Sequence, residues 1–161
     1  MSKKPIKRNE SIVRLSKDHH FGLLFCWKIR QGLKGGIAAS RIIDYVRYFA
    51  PGLLLPHFKE EEVVLFALLD DGLVTKAIKQ HKEIKMQLAK LSGNSEEILK
   101  KQLAELANMV DNHIRFEERE LFPHLEIRLS KEQLAEAGKQ LNDLHALPMK
   151  DDYEDEFWIK R

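Results

Sequence analysis

An all-α fold, a four-helix bundle with a shorter helix added near the C-terminus, is what the 161-residue sequence predicts. Three observations carry the prediction. Apolar residues recur at alternating intervals of three and four, the spacing of one face of a helix. Clusters rich in Gly, Pro, Ser and Asp cut this pattern into segments of helical length. No useful run alternates apolar and polar residues with the period of two that a strand needs. A chain of this length fits one domain and buries a good-sized core without staples.

The first helix is marked by Ile12, Leu15, His19, Gly22, Cys26, Ile29 and Leu33, and "GLKGG" breaks it. A second helical stretch begins near Ile37, runs through "RIIDYVRYFA", meets Pro51, Gly52 and Pro56, and resumes as "HFKEEEVVLFALL". Proline lacks an amide donor and clashes with the previous turn, so this stretch is either kinked or two helices. "DDG" closes it. The third helix runs from about Leu73 to Leu91, with Val74, Ile78, His81, Ile84, Leu88 and Leu91 on one side. Ser95 is the predicted N-cap of the fourth, which has acidic residues in its first turn. Its seam reads Leu99, Leu103, Leu106, Val110, His113, Glu117, Leu121, His124, apolar at first and polar halfway along. "LSKEQLAEAGKQLNDL" gives a shorter fifth helix, capped by Ser130 with Glu132 or Gln133 near the capping-box position. Packing four such stripes together makes a bundle.

Composition excludes several classes. With 27 basic and 25 acidic residues the net charge is +2, so no broad electrostatic footprint for nucleic acid exists. The ends differ in sign, "MSKKPIKR" against "DDYEDE", and both read as solvated, frayed termini. One cysteine, Cys26, rules out an internal disulfide and fits a reducing compartment. No apolar run reaches membrane-spanning length, and no signal peptide opens the chain. A soluble, cytoplasmic protein without membrane contact is expected.

The chemistry lies in a repeat. "HFKEEEVVLF" at 57–66 returns 56 positions later as "HIRFEERELF" at 113–122. A step of four residues is a rotation of about 400°, so His57 and Glu61 share a helix face one turn apart, as do His113 and Glu117. Each pair continues its apolar seam and therefore points inward. Buried carboxylates and imidazoles are costly unless hydrogen-bonded, paired or bound to a metal. No inward Lys or Arg stands at those levels, so a cation resolves the conflict. His81 and His19 lie on the seams of the third and first helices. Four imidazoles and two carboxylates are enough for two metal ions bridged by the carboxylates, and imidazole with carboxylate and no thiolate suits iron or manganese better than structural zinc.

With "DHH" at 18–20 and "QHKEI" at 80–84, this series resembles the hemerythrin-like family, the HHE cation-binding domain, over residues from about 10 to 127. The resemblance implies an up-down four-helix bundle holding a non-haem di-iron centre. It assigns the metal ligands to His19 or His20, to His57 and Glu61, to His81, and to His113 and Glu117. His19, on the three-four seam, is favoured over His20. Oxygen-carrying members have a further His one turn after the third-helix His, where this chain has Lys85, and an Asp five residues after the last-helix His, where this chain has Glu at four. Those departures resemble the iron-handling and stress-response branch. The implied cofactor is two iron ions, with manganese or zinc as substitutes, and the implied partner a small diatomic ligand, O2 or NO. The implied division is a flexible basic N-terminus at 1–9, the bundle at 10–127, and a C-terminal helix with acidic tail at 128–161.

Neighbouring residues receive plainer readings. Glu60, Glu62, Glu118 and Glu120 form a solvated acidic face, from which Glu60 is best placed to reach the site. His124 sits about three turns from the centre as an interior or supporting residue, His145 is exposed in the tail region, and Cys26 is a small core residue. Tyr45, Tyr48 and Trp27 are core positions with an option on the pocket. Two function classes follow: a di-iron protein that binds or responds to O2, NO or peroxide or handles iron under oxidative or nitrosative stress, and a di-iron oxidase or peroxidase-type enzyme.

Overall fold

The structure is a computed structural model that describes residues 8–144 and 150–160, and among them every regular element is helical. Helix α1 spans Val13–Lys34 and ends at Gly35 and Gly36, the latter at φ 70°, a backbone state that glycine adopts without strain. It buries Leu15, His19, Gly22, Cys26 and Ile29, the predicted seam. Helix α2, Ala39–Phe49, continues through a π-helical turn, Ala50–Leu54, into α3, Leu55–Glu60. The prolines therefore produce neither two helices nor an abrupt break. With no amide hydrogen on Pro51 or Pro56, the hydrogen-bond register widens by one residue, and the Leu55 amide donates to the Ala50 carbonyl.

A second π turn, Glu61–Leu65, and a 3₁₀ turn, Phe66–Leu68, finish this rod. Asp71 then caps α4, Gly72–Ala89, by accepting from the Leu73 and Val74 amides. Helix α5, Glu96–Phe116, starts at Ser95 as predicted, its hydroxyl accepting from the Ile98 amide. It passes through a third π turn, Glu117–Leu121, into α6, Phe122–Arg128. The last helix, α7, is Lys131–Leu144, and its capping box uses Gln133: Ser130 Oγ accepts from the Gln133 amide while Gln133 Oε1 accepts from the Ser130 amide.

α1 packs along α5, α4 also lies against α5, α2 touches both α1 and α5, and α7 covers the π turn at 61–65. The core forms two apolar clusters. One gathers Phe25, Ile29, Ile42, Tyr45, Phe49, Phe58, Ile84, Leu103 and Val110, and the other Leu15, Leu65, Ala77, Leu121, Phe122, Leu125 and Leu134. Along every long rod the buried histidines and glutamates fall where one cluster gives way to the other. A polar layer thus crosses the middle of an apolar interior.

Residues 1–7 of the basic N-terminus lie outside the described residues, but the described residues near both ends depart from the solvated reading. Arg8 is pinned by Glu126 at 2.6 Å and by the Glu118 carbonyl at 2.8 Å, and the Asn9 amide donates to Glu126, so the last two residues of the expected flexible N-terminus are held. In the acidic tail, Asp151 accepts from buried Lys28 at 3.1 Å and from the Tyr45 hydroxyl at 2.5 Å. Asp155 receives a two-pronged contact from Arg41, and Phe157 is 4% exposed. The apolar residues interleaved with the acids, Tyr153, Phe157 and Trp158, supply the reason, since they pack on the Tyr45 cluster. Trp27, by contrast, is exposed, and His145 lies outside the described residues. No helix among the described residues is long and apolar enough to cross a membrane.

Candidate metal centre

Four helical rods converge on the polar layer. α1 brings His19, α3 and its following π turn bring His57 and Glu61, α4 brings His81, and α5 with its following π turn brings His113 and Glu117. All six are buried, with Glu61, His81 and Glu117 at 0% exposure. Both glutamates open a π turn, so the repeat seen in the sequence is also a repeat of backbone geometry, a helix defect of the kind that clusters at functional sites.

The ring nitrogens sort by direction. Nε2 of His57 and of His81 each lie 3.3 Å from Glu61 Oε1, Nε2 of His113 lies 3.3 Å from Glu117 Oε1, and Nε2 of His19 lies 2.9 Å from Glu117 Oε1. Nε2 of His81 and of His113 approach one another to 3.1 Å. Two groups of potential ligand atoms result: His19, His57, Glu61 and Glu117, and Glu61, His81, His113 and Glu117. Both glutamates belong to both groups.

The opposite nitrogens face outward onto a supporting ring. Nδ1 of His57 meets Asp18 at 3.2 Å, Nδ1 of His81 meets Glu62 at 2.9 Å, Nδ1 of His113 meets Gln80 at 2.6 Å, and Nδ1 of His19 has Glu118 at 3.7 Å. Acceptors on Nδ1 of His57, His81 and His113 leave their Nε2 lone pairs to point at a cation, the arrangement typical of metal-bound histidine. Phe58 stacks on His81 at 3.9 Å and Phe122 on His19 at 5.3 Å, which restricts ring rotation.

Glu62 and Glu118 correct the solvated-face reading, for they turn inward to support His81 and His19. Asp18 and Gln80 entered only as the residues before His19 and His81 in "DHH" and "QHKEI", with no contact assigned to them. The signal was adjacency: each of the four supporting residues is the immediate sequence neighbour of a buried His or Glu. His20 is exposed and belongs to neither group. His124 is only half-buried and pairs with Asp71, the cap of α4, far from the polar layer in its contacts. Lys85 is exposed and Glu60 half-buried, and neither belongs to the two groups. Cys26 is buried, which pushes its thiol up to about 12 and keeps it protonated and unreactive.

Electrostatics show a site in need of positive charge. Burial, with the Glu117 carboxylate beside it, raises Glu61 well above the ordinary carboxylate range. Burial alone would raise Glu117 too, but His113 and His19 hold it well below that range. Burial would lower His19, yet its contacts with Glu117 and Glu118 push it up to about 9. His81 goes down to about 3, through burial and then the neighbouring His113. Both Glu61 oxygens, Glu117 Oε2 and His57 Nε2 are buried without a hydrogen-bond partner. Leaving such atoms unsatisfied is costly, and a cation among them would satisfy all four.

These shifts set an expected pH profile for the metal-free protein. A raised His19 contributes stability fully below its unfolded value of 6.5 and loses it as pH rises toward about 9, roughly 3 kcal/mol in all. A depressed His81 contributes above 6.5 and loses its contribution as pH falls toward about 3. Urea unfolding of metal-free protein should therefore trace a dome with its top near pH 6.5. A flat profile from pH 6 to 9 would contradict the His19 contacts.

Imidazoles and shared carboxylates held inward by helices define a class, the helical His/Glu metal-binding proteins. The profile of the hemerythrin HHE cation-binding domain matches residues 16–125, and the chain belongs to that family. Neither the curated proteins nor the solved structures contain a significant match.

Proposed function

We propose that this up-down four-helix bundle holds two iron ions, one between His19 and His57 and one between His81 and His113, with Glu61 and Glu117 bridging them. The membership of both glutamates in both ligand groups carries the reading. The donor set, four nitrogens and two carboxylates without thiolate, favours iron or manganese over structural zinc. Bound iron supplies redox chemistry and coordination positions that the six protein ligands leave open. The chain's own task is to hold the ligands in register, accept the Nδ1 protons on the supporting ring, and keep bulk water away.

The ligand we assign to this centre is O2, NO or peroxide, in a protein that senses, scavenges or handles iron under oxidative or nitrosative stress in the cytoplasm. A cavity of about 10 Å³, room for one small molecule, lies against His19, His57 and His113. Asp18 lines it, and its other walls are apolar, among them Gly22, Phe49 and Ile114. That size favours a diatomic ligand over the organic substrate an oxidase would need.

The reduced, iron-loaded protein is expected to change its near-ultraviolet and visible absorption on exposure to O2 or NO. Inertness to both gases would defeat the assignment. A Cβ at Gly22 would lie 2.6 Å from Ile114 Cδ1, and both residues line the cavity. Gly22→Ala should push the Ile114 tip into that space and slow the reaction by about tenfold with iron content unchanged, a rate cost typical of a small misplacement near a reacting centre. An unaltered rate would mean that the gas arrives by another path.

A further inference from the structure

The internal repeat extends past the ligands to the residues that support them. Asp18 precedes His19 as Gln80 precedes His81, and Glu62 follows Glu61 as Glu118 follows Glu117. Exchanging the two halves turns the Asp18 contact with His57 into the Gln80 contact with His113, and the Glu62 contact with His81 into the Glu118 contact with His19. Three of these four supports are carboxylates. The chemical symmetry of the supporting ring breaks at one pair, Asp18 against Gln80; the other pair is carboxylate in both halves and differs in distance, with Glu62 at 2.9 Å from His81 and Glu118 at 3.7 Å from His19.

We infer that Asp18 makes the two metal positions unequal, so that the first ion enters between His19 and His57 and the second between His81 and His113. This rests on the two-metal reading above and adds an order of filling to it. A carboxylate that accepts the Nδ1 hydrogen of a metal-bound imidazole lends it negative charge and strengthens it as a donor. A carboxamide fixes the ring's orientation and lends no charge.

Distance alone would point the other way, because Gln80 is at 2.6 Å from His113 and Asp18 at 3.2 Å from His57. Charge decides, since Asp18 is 9% exposed and its charge acts at low local dielectric, where a full charge outweighs a few tenths of an ångström in a neutral bond. Glu118 and Glu62 set one carboxylate beside each position, Glu62 hydrogen-bonded to His81 at 2.9 Å and Glu118 at 3.7 Å from His19, beyond a hydrogen bond. Arg8 touches Glu118 at 3.2 Å but is matched by Glu126 at 2.6 Å. The Lys85 charge acts on His81 and opposes a cation at the second position.

The test is Co(II) added to metal-free protein, followed by calorimetric titration and by anomalous diffraction from crystals grown with one equivalent per chain. Two binding steps separated by about 10- to 100-fold are expected, the range by which such supporting residues alter affinity, with the one-equivalent signal between His19 and His57. Asp18→Asn keeps an acceptor for the ring and removes the charge, so the steps should close up. Gln80→Glu alone should strengthen the second position, and the Asp18→Asn/Gln80→Glu exchange should move the first ion to His81 and His113. A purely structural role for Asp18 would not reverse the order. Equal occupancy in the unmodified protein, or a first ion that stays put in the exchange variant, overturns the inference while leaving the two-metal reading intact. Failure to bind Co(II) at either position overturns both.

Discussion

Glu61→Leu is expected to strip the protein of nearly all its metal and, in the metal-free state, to make it more stable. Glu61 belongs to both ligand groups, so its loss removes a donor from each position. His57→Ala removes a donor from one group and should leave about one ion per chain. The stability arm follows from burial. Glu61 is 0% exposed, neither of its oxygens has a hydrogen-bond partner, and its pKa is driven up by burial and by Glu117. Replacing such a group by an apolar side chain of similar volume should gain about 1–3 kcal/mol in the absence of metal. Elemental analysis after anaerobic iron loading and urea unfolding of chelator-treated protein measure the two arms. Retention of both ions by Glu61→Leu would end the bridging assignment. A loss of metal-free stability would show that the apolar surroundings are not what raises the carboxyl.

Phe157→Ala is expected to cost about 3 kcal/mol, the lower part of the range for large-to-small substitutions of a buried Phe, with metal content unchanged. Its ring lies 2.8 Å from where a Cβ on Gly32 would stand and packs at 5.7 Å from Tyr45 and 5.1 Å from Trp158. Releasing the segment also removes the Asp151 partner of Lys28, a side chain only 7% exposed that is held over the Trp158 ring at 4.0 Å. A cation losing its partner in an apolar setting adds to the loss. Gly32→Val should act in the same way, because the new side chain needs the space the Phe157 ring fills. Chemical unfolding followed by fluorescence would read both variants. A change under about 1 kcal/mol in each would mean the tail contributes little to stability.

How much of the centre was legible depended on periodicity. His57 with Glu61 and His113 with Glu117 could be read because a spacing of four on an apolar seam leaves one direction for the side chains, inward. His81 and His19 followed from the same seams, and the choice within "DHH" followed from His19 continuing the line of Leu15 and Cys26. The supporting residues were not legible by that rule. Asp18, Glu62, Gln80 and Glu118 sit one place off the seam, where a polar residue normally faces water. The acceptors meet the Nδ1 atoms because neighbouring rods bring them together, from 99 residues away in the chain for Glu118 and His19 (118 less 19) and 33 for Gln80 and His113.

The sequence by itself determined the helical class, the Ser95 and Ser130 caps, and the two duplicated His/Glu turns, because these rest on spacing and on interactions within a few residues. Tertiary structure decided what local pattern does not encode. It set the helix register at Pro51 and Pro56, where the missing amide hydrogens were absorbed by a π turn within a continuous rod. It also brought the "DDYEDEFW" segment onto α1 and α2, where Phe157, Tyr153 and Trp158 bury apolar area that no reading of its charges reveals. Above all it made the centre one site. Each helix alone carries only one or two polar residues on an apolar stripe. Their shared need to escape unsatisfied burial converges on two groups of residues able to hold a metal only when four rods close around one layer.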